Sequence, residues 1–322
     1  MPARPESGAR YRAPPVEAIR GLAVLAEPPT PEHRAVARSL GLDGPPSPAH
    51  YSDLFLFQLY PYASVHLGAE GMMGGQAAAR VAGFWRALGY EPPPEPDHLA
   101  ALLGLYAALC AREAGESVNA EARLLRRSRF VLLHEHLAPW IFPFLERLRE
   151  LTDGPFHPWS RILESVLRRE LEEGGEDDVD LEVLPAHLRE APPLADPRRE
   201  GATDFLDGLL APVRSGVLLL RADLARIAQD RELGLRAGER RYALEHLLSQ
   251  DAPGVLQALA EEARRQALRH RRRCGWLGVT ARFLGSRAHA TVTLLGELAD
   301  EESRDGAEGR TGVGASGKGG GS

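Results

Sequence analysis

The chain has 322 residues, of which 43% are hydrophobic and 26% charged, so it is long enough to bury a substantial core in one large or two smaller domains. Its formal net charge of -6 at pH 7 argues against partners such as nucleic acid or an anionic membrane surface, which attract dense positive charge. The cysteines, Cys110 and Cys274, form no C-x-x-C pair, which argues against a zinc ribbon or a disulfide framework. This composition indicates a cytoplasmic protein.

Neither a secretory signal nor a membrane span is expected. The first 15 residues are charged and rich in proline, and no apolar segment follows them. The longest uncharged stretch, residues 99–111, is shorter than the roughly 20 apolar residues of a membrane-spanning helix. We therefore expect no membrane insertion.

The N-terminal part of the chain is predicted to consist of short helices. Two come first, and the second is expected to begin after Thr30 as N-cap and to end at Gly41. Residues 50–68 have the highest aromatic density in the chain. A glycine-rich break at residues 71–75 then precedes a helix that ends at Gly89.

A longer helix is predicted after the rigid linker EPPPEP, where the sequence reads EPDHLAALLGLY. Asp97 follows Pro96 and precedes the apolar run, so we expect it to be the N-cap. His98 stands beside it. The apolar residues of the run recur on one helical face: Leu99, Leu102, Leu103, Tyr106, Leu109 and Cys110.

Further helices are expected after Asn119 as a cap, and no stretch alternates with period two, so the fold class is all-α. The acidic, proline-rich and aperiodic segment at 174–201 indicates a linker. The predicted regions are a disordered N-terminus (1–15), a helical core (16–173), this linker, a C-terminal helical region (202–300) and a disordered glycine-rich tail (301–322).

Several motifs that suggest chemistry lack the context that the chemistry needs. GVGASGKG in the tail lacks the strand and helix of a phosphate-binding loop. His134 and His136 are two residues apart and would point about 200° apart on a helix, so a structural or solvent-facing role is expected instead of a shared metal. Met72 and Met73 fit either an adaptable binding surface or a loop with two buried anchors. No cofactor or metal is predicted.

Three segments resemble a known family. EPDHLAALLGLY is similar to the PDHL signature of the TorD/DmsD/NarJ-type chaperones of molybdoenzymes. YSDLFLFQLYPYASVHL resembles the family's aromatic N-terminal helix and loop, and FVLLHEHLAPWIFPFLERL resembles its F-x-x-x-H-L-x-x-W-x-x-x-F helix pair. The residues that match this last motif are Phe130, His134 or His136, Leu137, Trp140 and Phe144. One position departs from the family pattern: Leu102 stands where a Glu is typical.

The resemblance implies a TorD-like helical bundle, here with a C-terminal helical extension, that catalyses no reaction. Its partners would be the catalytic subunit of a molybdoenzyme of the DMSO, nitrate or formate oxidoreductase type and the twin-arginine leader of that subunit. The subunit would be kept from export until its cofactor is inserted. By this resemblance, the client-binding residues would be Asp97, His98, Tyr51, Phe55, Tyr60, Trp85 and Tyr90, although any one of these rings taken alone is more often core than site.

Two other functions stay open at this stage. A helical scaffold or regulatory protein would bind partners without using Asp97 or His98 at all. A helical enzyme would use both residues for acid–base chemistry. The sequence is compatible with a monomer, or with a dimer in which two copies exchange a segment across the 174–201 linker.

Overall fold

The structure, a computed structural model, describes residues 16–116, 120–173, 183–236 and 238–313, with the backbone alone for residues 173 and 306–313. The regular secondary structure of the described residues is almost entirely helical, which confirms the all-α prediction. Its helices are α1 (Val16–Leu25), α2 (His33–Ser39), α3 (Pro48–Tyr51), α4 (Ala63–Leu67), α5 (Gly75–Ala87), α6 (Leu99–Gly115), α7 (Ala120–Val131), α8 (Ala138–Leu151), α9 (Phe156–Glu173), α10 (Ala186–Glu190), α11 (Pro197–Glu200), α12 (Ala202–Leu210), α13 (Pro212–Ser215), α14 (Arg221–Asp230), α15 (Arg240–Gln250) and α16 (Ala252–Val313). Two π-helical turns, Ser52–Leu56 and Leu132–Leu137, follow α3 and α7.

The chain forms two compact units. Unit 1 consists of Met1–Ser52 and Arg80–Val183, and unit 2 of Asp53–Ala79 and Leu184–Ser322. The aromatic segment after α3 therefore groups with the C-terminal half of the chain, whereas the sequence placed it in the N-terminal core. The regions predicted from the sequence are bounded by linker-like segments, whereas the two units are defined by contacts between residues. The boundaries of the predicted regions therefore stay a prediction.

Unit 1 is built around α6, which packs against α1 and α7, while α8 packs against α9. The apolar face predicted for α6 is confirmed, because each of its six residues is at most 1% exposed. Trp159 of α9 donates from its indole Nε1 to the carbonyl oxygen of Leu22 in α1, at 3.1 Å. Buried aromatic and leucine side chains thus hold the helices of this unit together.

A buried ionic cluster joins α6, α7 and α9. The guanidinium of Arg129, which has no exposed surface, contacts Glu170, and it donates to the hydroxyl of Tyr106 and to Glu113, both at 3.0 Å. Tyr106 also donates to Glu170. A buried charge is tolerated only when such partners replace its lost water, so this cluster fixes how the three helices meet.

Unit 2 has its own core, formed by α12, α14, α15 and residues from both parts of α16. At Gly278 the backbone of α16 leaves the helical region, with φ 54° and ψ -130°. A Cβ at Gly285 would lie 3.5 Å from Cβ of His270, so the second part of α16 folds back along the first. The C-terminal region is therefore anchored by a helical hairpin.

The hairpin holds an extended, buried segment at 217–220. Gln266 accepts from the amide of Leu218 at 2.8 Å and donates to its carbonyl at 3.2 Å. His270 bonds to the carbonyl of Gly216 at 3.0 Å, and Thr291 donates to that of Ser215 at 2.7 Å. Polar side chains of α16 thus satisfy backbone groups that have no regular helical or sheet partners.

Some helices begin or end at positions that differ from the prediction. Helix α2 begins at His33 with Glu32 at its N-cap, so Thr30 is not the cap. Helix α16 continues to Val313, past the predicted start of the tail. Two single-turn helices, α10 and α11, lie within the described part of the predicted linker. Gly41 has a φ of 71°, which fits its predicted role in ending α2. Asn119 lies outside the described residues.

Candidate functional site

The EPDH motif forms the entry to α6, but the helix begins one residue later than predicted. Its N-cap is His98, whose Nδ1 accepts from the backbone amide of Ala100 at 3.2 Å. The prediction of Asp97 as N-cap is therefore wrong. An imidazole nitrogen replaces the usual carboxylate or hydroxyl oxygen in satisfying a free amide of the first turn.

His98 is poorly suited to proton transfer in this arrangement. Burial lowers the pKa of its imidazole, and the nearby carboxylates of Glu95 and Asp97 only partly oppose that shift. The neutral ring uses Nδ1 as the acceptor for the Ala100 amide, so its proton lies on Nε2. The nitrogen that could accept a proton is thus already engaged with the backbone.

The two carboxylates of the motif differ in accessibility. Asp97 is buried, with 4% of its surface exposed, whereas Glu95 is exposed. Both act on the charge of His98, which places both close to that ring. Glu95 is therefore the solvent-exposed carboxylate of the motif. The sequence gives no local signal for Glu95, because a glutamate in a proline-rich linker looks like an ordinary surface charge.

Two partly exposed rings lie beside this turn. The indole Nε1 of Trp85 donates to the carbonyl of Pro96 at 3.2 Å, and Trp85 packs edge-on against Tyr90, with 6.3 Å between ring centroids. The hydroxyl of Tyr90 accepts from Arg112 at 2.9 Å. We call Trp85, Tyr90, Glu95, Asp97 and His98 the EPDH face; all five belong to unit 1.

The other three predicted rings have different surroundings. Tyr51 is buried in unit 1, where its hydroxyl donates to the carbonyl of Ala26 at 3.4 Å and burial raises its pKa to about 12. Phe55 is fully buried and Tyr60 partly exposed, and both belong to unit 2. The side chains of Tyr51 and Phe55 are packed in the cores of their units.

Exposed apolar side chains are concentrated in the N-terminal segment of unit 2. Leu56, Phe57, Met72 and Met73 are between 49% and 67% exposed. The two methionines are therefore not buried anchors, and of the two interpretations of this pair only a binding surface stays open.

The histidines of the helix-pair motif have structural surroundings. His134 and His136 are buried in the second π-helical turn. His134 bonds through Nε2 to the carbonyl of Val183 at 2.9 Å, and the carbonyl of His136 accepts from the buried indole of Trp140 at 2.8 Å. Within the described ranges, no group of three or more His, Cys, Asp or Glu side chains is arranged to hold a metal ion.

Chemically, the EPDH face combines aromatic surface with two carboxylates and a neutral imidazole. Rings attract cations and apolar groups, and carboxylates pair with guanidinium groups. Such a surface suits an apolar peptide that carries arginine. Separately, none of the helices over the described ranges combines the length and the apolar character that crossing a bilayer requires.

Comparison with known proteins gives a family match. The family model described as "Nitrate reductase delta subunit" matches residues 47–146, which include the EPDH face and the helix-pair motif. No curated protein and no solved structure matches the chain.

Proposed function

We propose that the chain is a maturation chaperone for a molybdoenzyme, because residues 47–146 match the nitrate reductase delta subunit family, of the NarJ/TorD type. Its client is the catalytic subunit of a DMSO, nitrate or formate oxidoreductase. The family match is the observation that carries this proposal. A chaperone of this kind binds its client and catalyses no reaction.

The leader of the client binds, in this proposal, at the EPDH face. A twin-arginine leader offers two guanidinium groups beside an apolar stretch. The rings of Trp85 and Tyr90 offer partly exposed apolar and π surface, and Glu95 offers an exposed carboxylate. Asp97 contributes its charge from below the surface, and His98 keeps α6 in place.

The timing of export follows from this binding mode. A leader covered by the chaperone is unavailable for export, so the client stays in the cytoplasm until the molybdenum cofactor is inserted and the leader is released. Because covering the leader requires only reversible binding, no covalent chemistry is needed at the EPDH face.

The proposed role in molybdoenzyme maturation is tested by co-expression. The catalytic subunit of a candidate molybdoenzyme is produced with and without the chain, and its molybdenum content and activity are measured. We expect both to fall strongly without the chain. Equal molybdenum content in the two preparations contradicts a maturation role.

The proposed binding of the leader at the EPDH face is tested with a labelled peptide. A labelled twin-arginine leader is titrated with the wild-type chain, Glu95→Gln, Asp97→Asn and Trp85→Ala, and fluorescence anisotropy gives each Kd. Truncating Trp85 is expected to weaken binding by about 2 kcal/mol, roughly thirtyfold. Tyr242→Ala, which removes a ring that is 43% exposed and lies outside the EPDH face, is the matched control and should leave Kd unchanged. If both ring variants bind equally well, the leader does not use the EPDH face.

A further inference from the structure

The first part of α16, residues 252–277, has one side turned to solvent. The exposed positions recur at helical spacing: Gln257, Glu261, Arg264, Arg265, Leu268, Arg271, Arg272 and Gly275. The opposite side is buried and holds the extended segment through Gln266 and His270. The outer side is thus a fixed surface on a helix anchored in the core of unit 2.

This surface has a pattern of charge around an apolar centre. Leu268 is 50% exposed, and arginines occupy the positions three and four residues before it and three and four residues after it. Side chains at these spacings are neighbours on one helical face. Arg264 and Arg272 are eight residues apart, which corresponds to about 12 Å along the helix. We call Arg264, Arg265, Leu268, Arg271 and Arg272 the arginine face.

Among the residues that the structure describes, most of the positive charge of this face is not neutralised. Arg265 contacts the buried carboxylate of Glu262, which also accepts from Arg226 at 3.0 Å. For Arg264, Arg271 and Arg272, the part of the chain that the structure describes provides no ion pair or hydrogen bond to the guanidinium group. Three cations of one helical face are therefore available to a partner, in a chain whose net charge is negative.

We propose that the arginine face is a docking surface for an acidic segment of a partner protein. The segment carries an apolar residue that covers Leu268, with carboxylates on either side that pair with the arginines. Arg binds carboxylates through two parallel hydrogen bonds, so the spacing of the arginines selects the spacing of the acids. This function is separate from the proposed leader binding. The arginine face belongs to unit 2 and is positively charged, whereas the EPDH face belongs to unit 1 and carries carboxylates.

A polypeptide fits this face better than nucleic acid or lipid. Nucleic-acid sites that bind single strands add aromatic platforms to their charge, and the exposed positions of this face include no aromatic residue. Membrane-surface helices bury a broad apolar side, and here the outward side has one leucine. A compact group of arginines around one apolar side chain matches a short acidic motif.

The test uses a designed probe peptide. The probe is an alanine-based helix with one leucine and glutamates three and four positions before and after it, labelled for fluorescence anisotropy. A control peptide has glutamine in place of every glutamate. The full chain is compared with R264E/R271E/R272E, and R34E/R123E/R127E is the matched control, because it reverses three exposed arginines of unit 1 and changes net charge equally.

We expect the glutamate probe to bind the wild-type chain and the unit 1 control, and to lose about tenfold or more in affinity with R264E/R271E/R272E. Leu268→Ser should weaken binding, and added salt should weaken it further through screening. Circular dichroism establishes that each variant is folded. The proposal is overturned if both triple variants lose affinity equally, if the glutamine peptide binds as well, or if only anionic vesicles or single-stranded RNA compete for the face.

Discussion

Gly216 is the position in unit 2 where a single methyl group should have the largest effect. It follows α13 with a φ of 71°, at the point where the chain enters the extended segment. A Cβ there would lie 2.4 Å from the backbone nitrogen of Ala288 and 2.5 Å from the carbonyl oxygen of Leu284. Both atoms belong to the backbone of α16, which cannot move aside as a flexible side chain could.

Gly75 supplies a matched comparison within the same unit. Its φ is 66°, nearly that of Gly216, and a Cβ there would meet nothing within 4 Å. The left-handed conformation costs an alanine about 1–2 kcal/mol at either position. The steric overlap adds about 1–3 kcal/mol at Gly216 alone. We therefore expect Gly75→Ala to lower the free energy of unfolding by about 1 kcal/mol and Gly216→Ala by about 3 kcal/mol or more.

Urea unfolding of both variants, followed by far-UV circular dichroism, measures the difference. The decisive quantity is the gap between the two variants, because the entropy that alanine removes from the unfolded chain is the same in both. A gap below about 0.5 kcal/mol would show that α16 does not approach Gly216 this closely, and the hairpin packing of unit 2 would have to be revised.

Three further predictions concern buried polar groups. Glu170→Gln should lower the free energy of unfolding by about 3 kcal/mol, because it leaves the buried cation of Arg129 without one of its carboxylates. Tyr106→Phe should lower it by only about 1 kcal/mol. Equal urea midpoints for the two variants would contradict this ranking. His98→Ala should lose about 1 kcal/mol of stability through the missing cap, and His98→Asn should retain it, so equal losses in thermal melts would remove His98 from that role. Burial lowers the pKa of His270 to about 4 from 6.5, so the folded state binds fewer protons and stability should fall by about 3 kcal/mol as the pH drops from 6.5 to 4. His270→Gln should flatten this pH dependence, and an unchanged slope would refute the assignment.

The parts of the fold that follow from the sequence are those set by local periodicity. The apolar face of α6 could be predicted directly, because apolar residues spaced three and four positions apart lie on one face of an α-helix. Gly41 and Gly89 could be read as helix ends, and both have positive φ. These predictions depend on residues within a few positions of one another.

The parts that could not be predicted depend on contacts between distant residues. Nothing local shows that residues 53–79 group with the C-terminal half, or that α16 folds back at Gly278. The salt-bridging carboxylate of Glu170 lies 41 positions from Arg129, and each looks like an ordinary surface charge in the sequence. Long-range polar pairs of this kind have no periodic signature.

In the EPDH motif the helix cap and the carboxylate charge belong to different residues, so different substitutions test them. With Asp97 as N-cap, Asp97→Asn would keep the cap and remove only the charge. The cap belongs to His98 instead, so Asp97→Asn leaves the helix start unchanged and alters charge alone, while His98→Asn keeps an acceptor for the amide of Ala100 and removes the imidazole. Leader binding that survives His98→Asn but weakens with Asp97→Asn and Glu95→Gln would assign recognition to the carboxylates and leave the imidazole a structural role. The reverse result would mean that the ring itself contacts the client, which requires the entry of α6 to open, because only 9% of His98 is exposed.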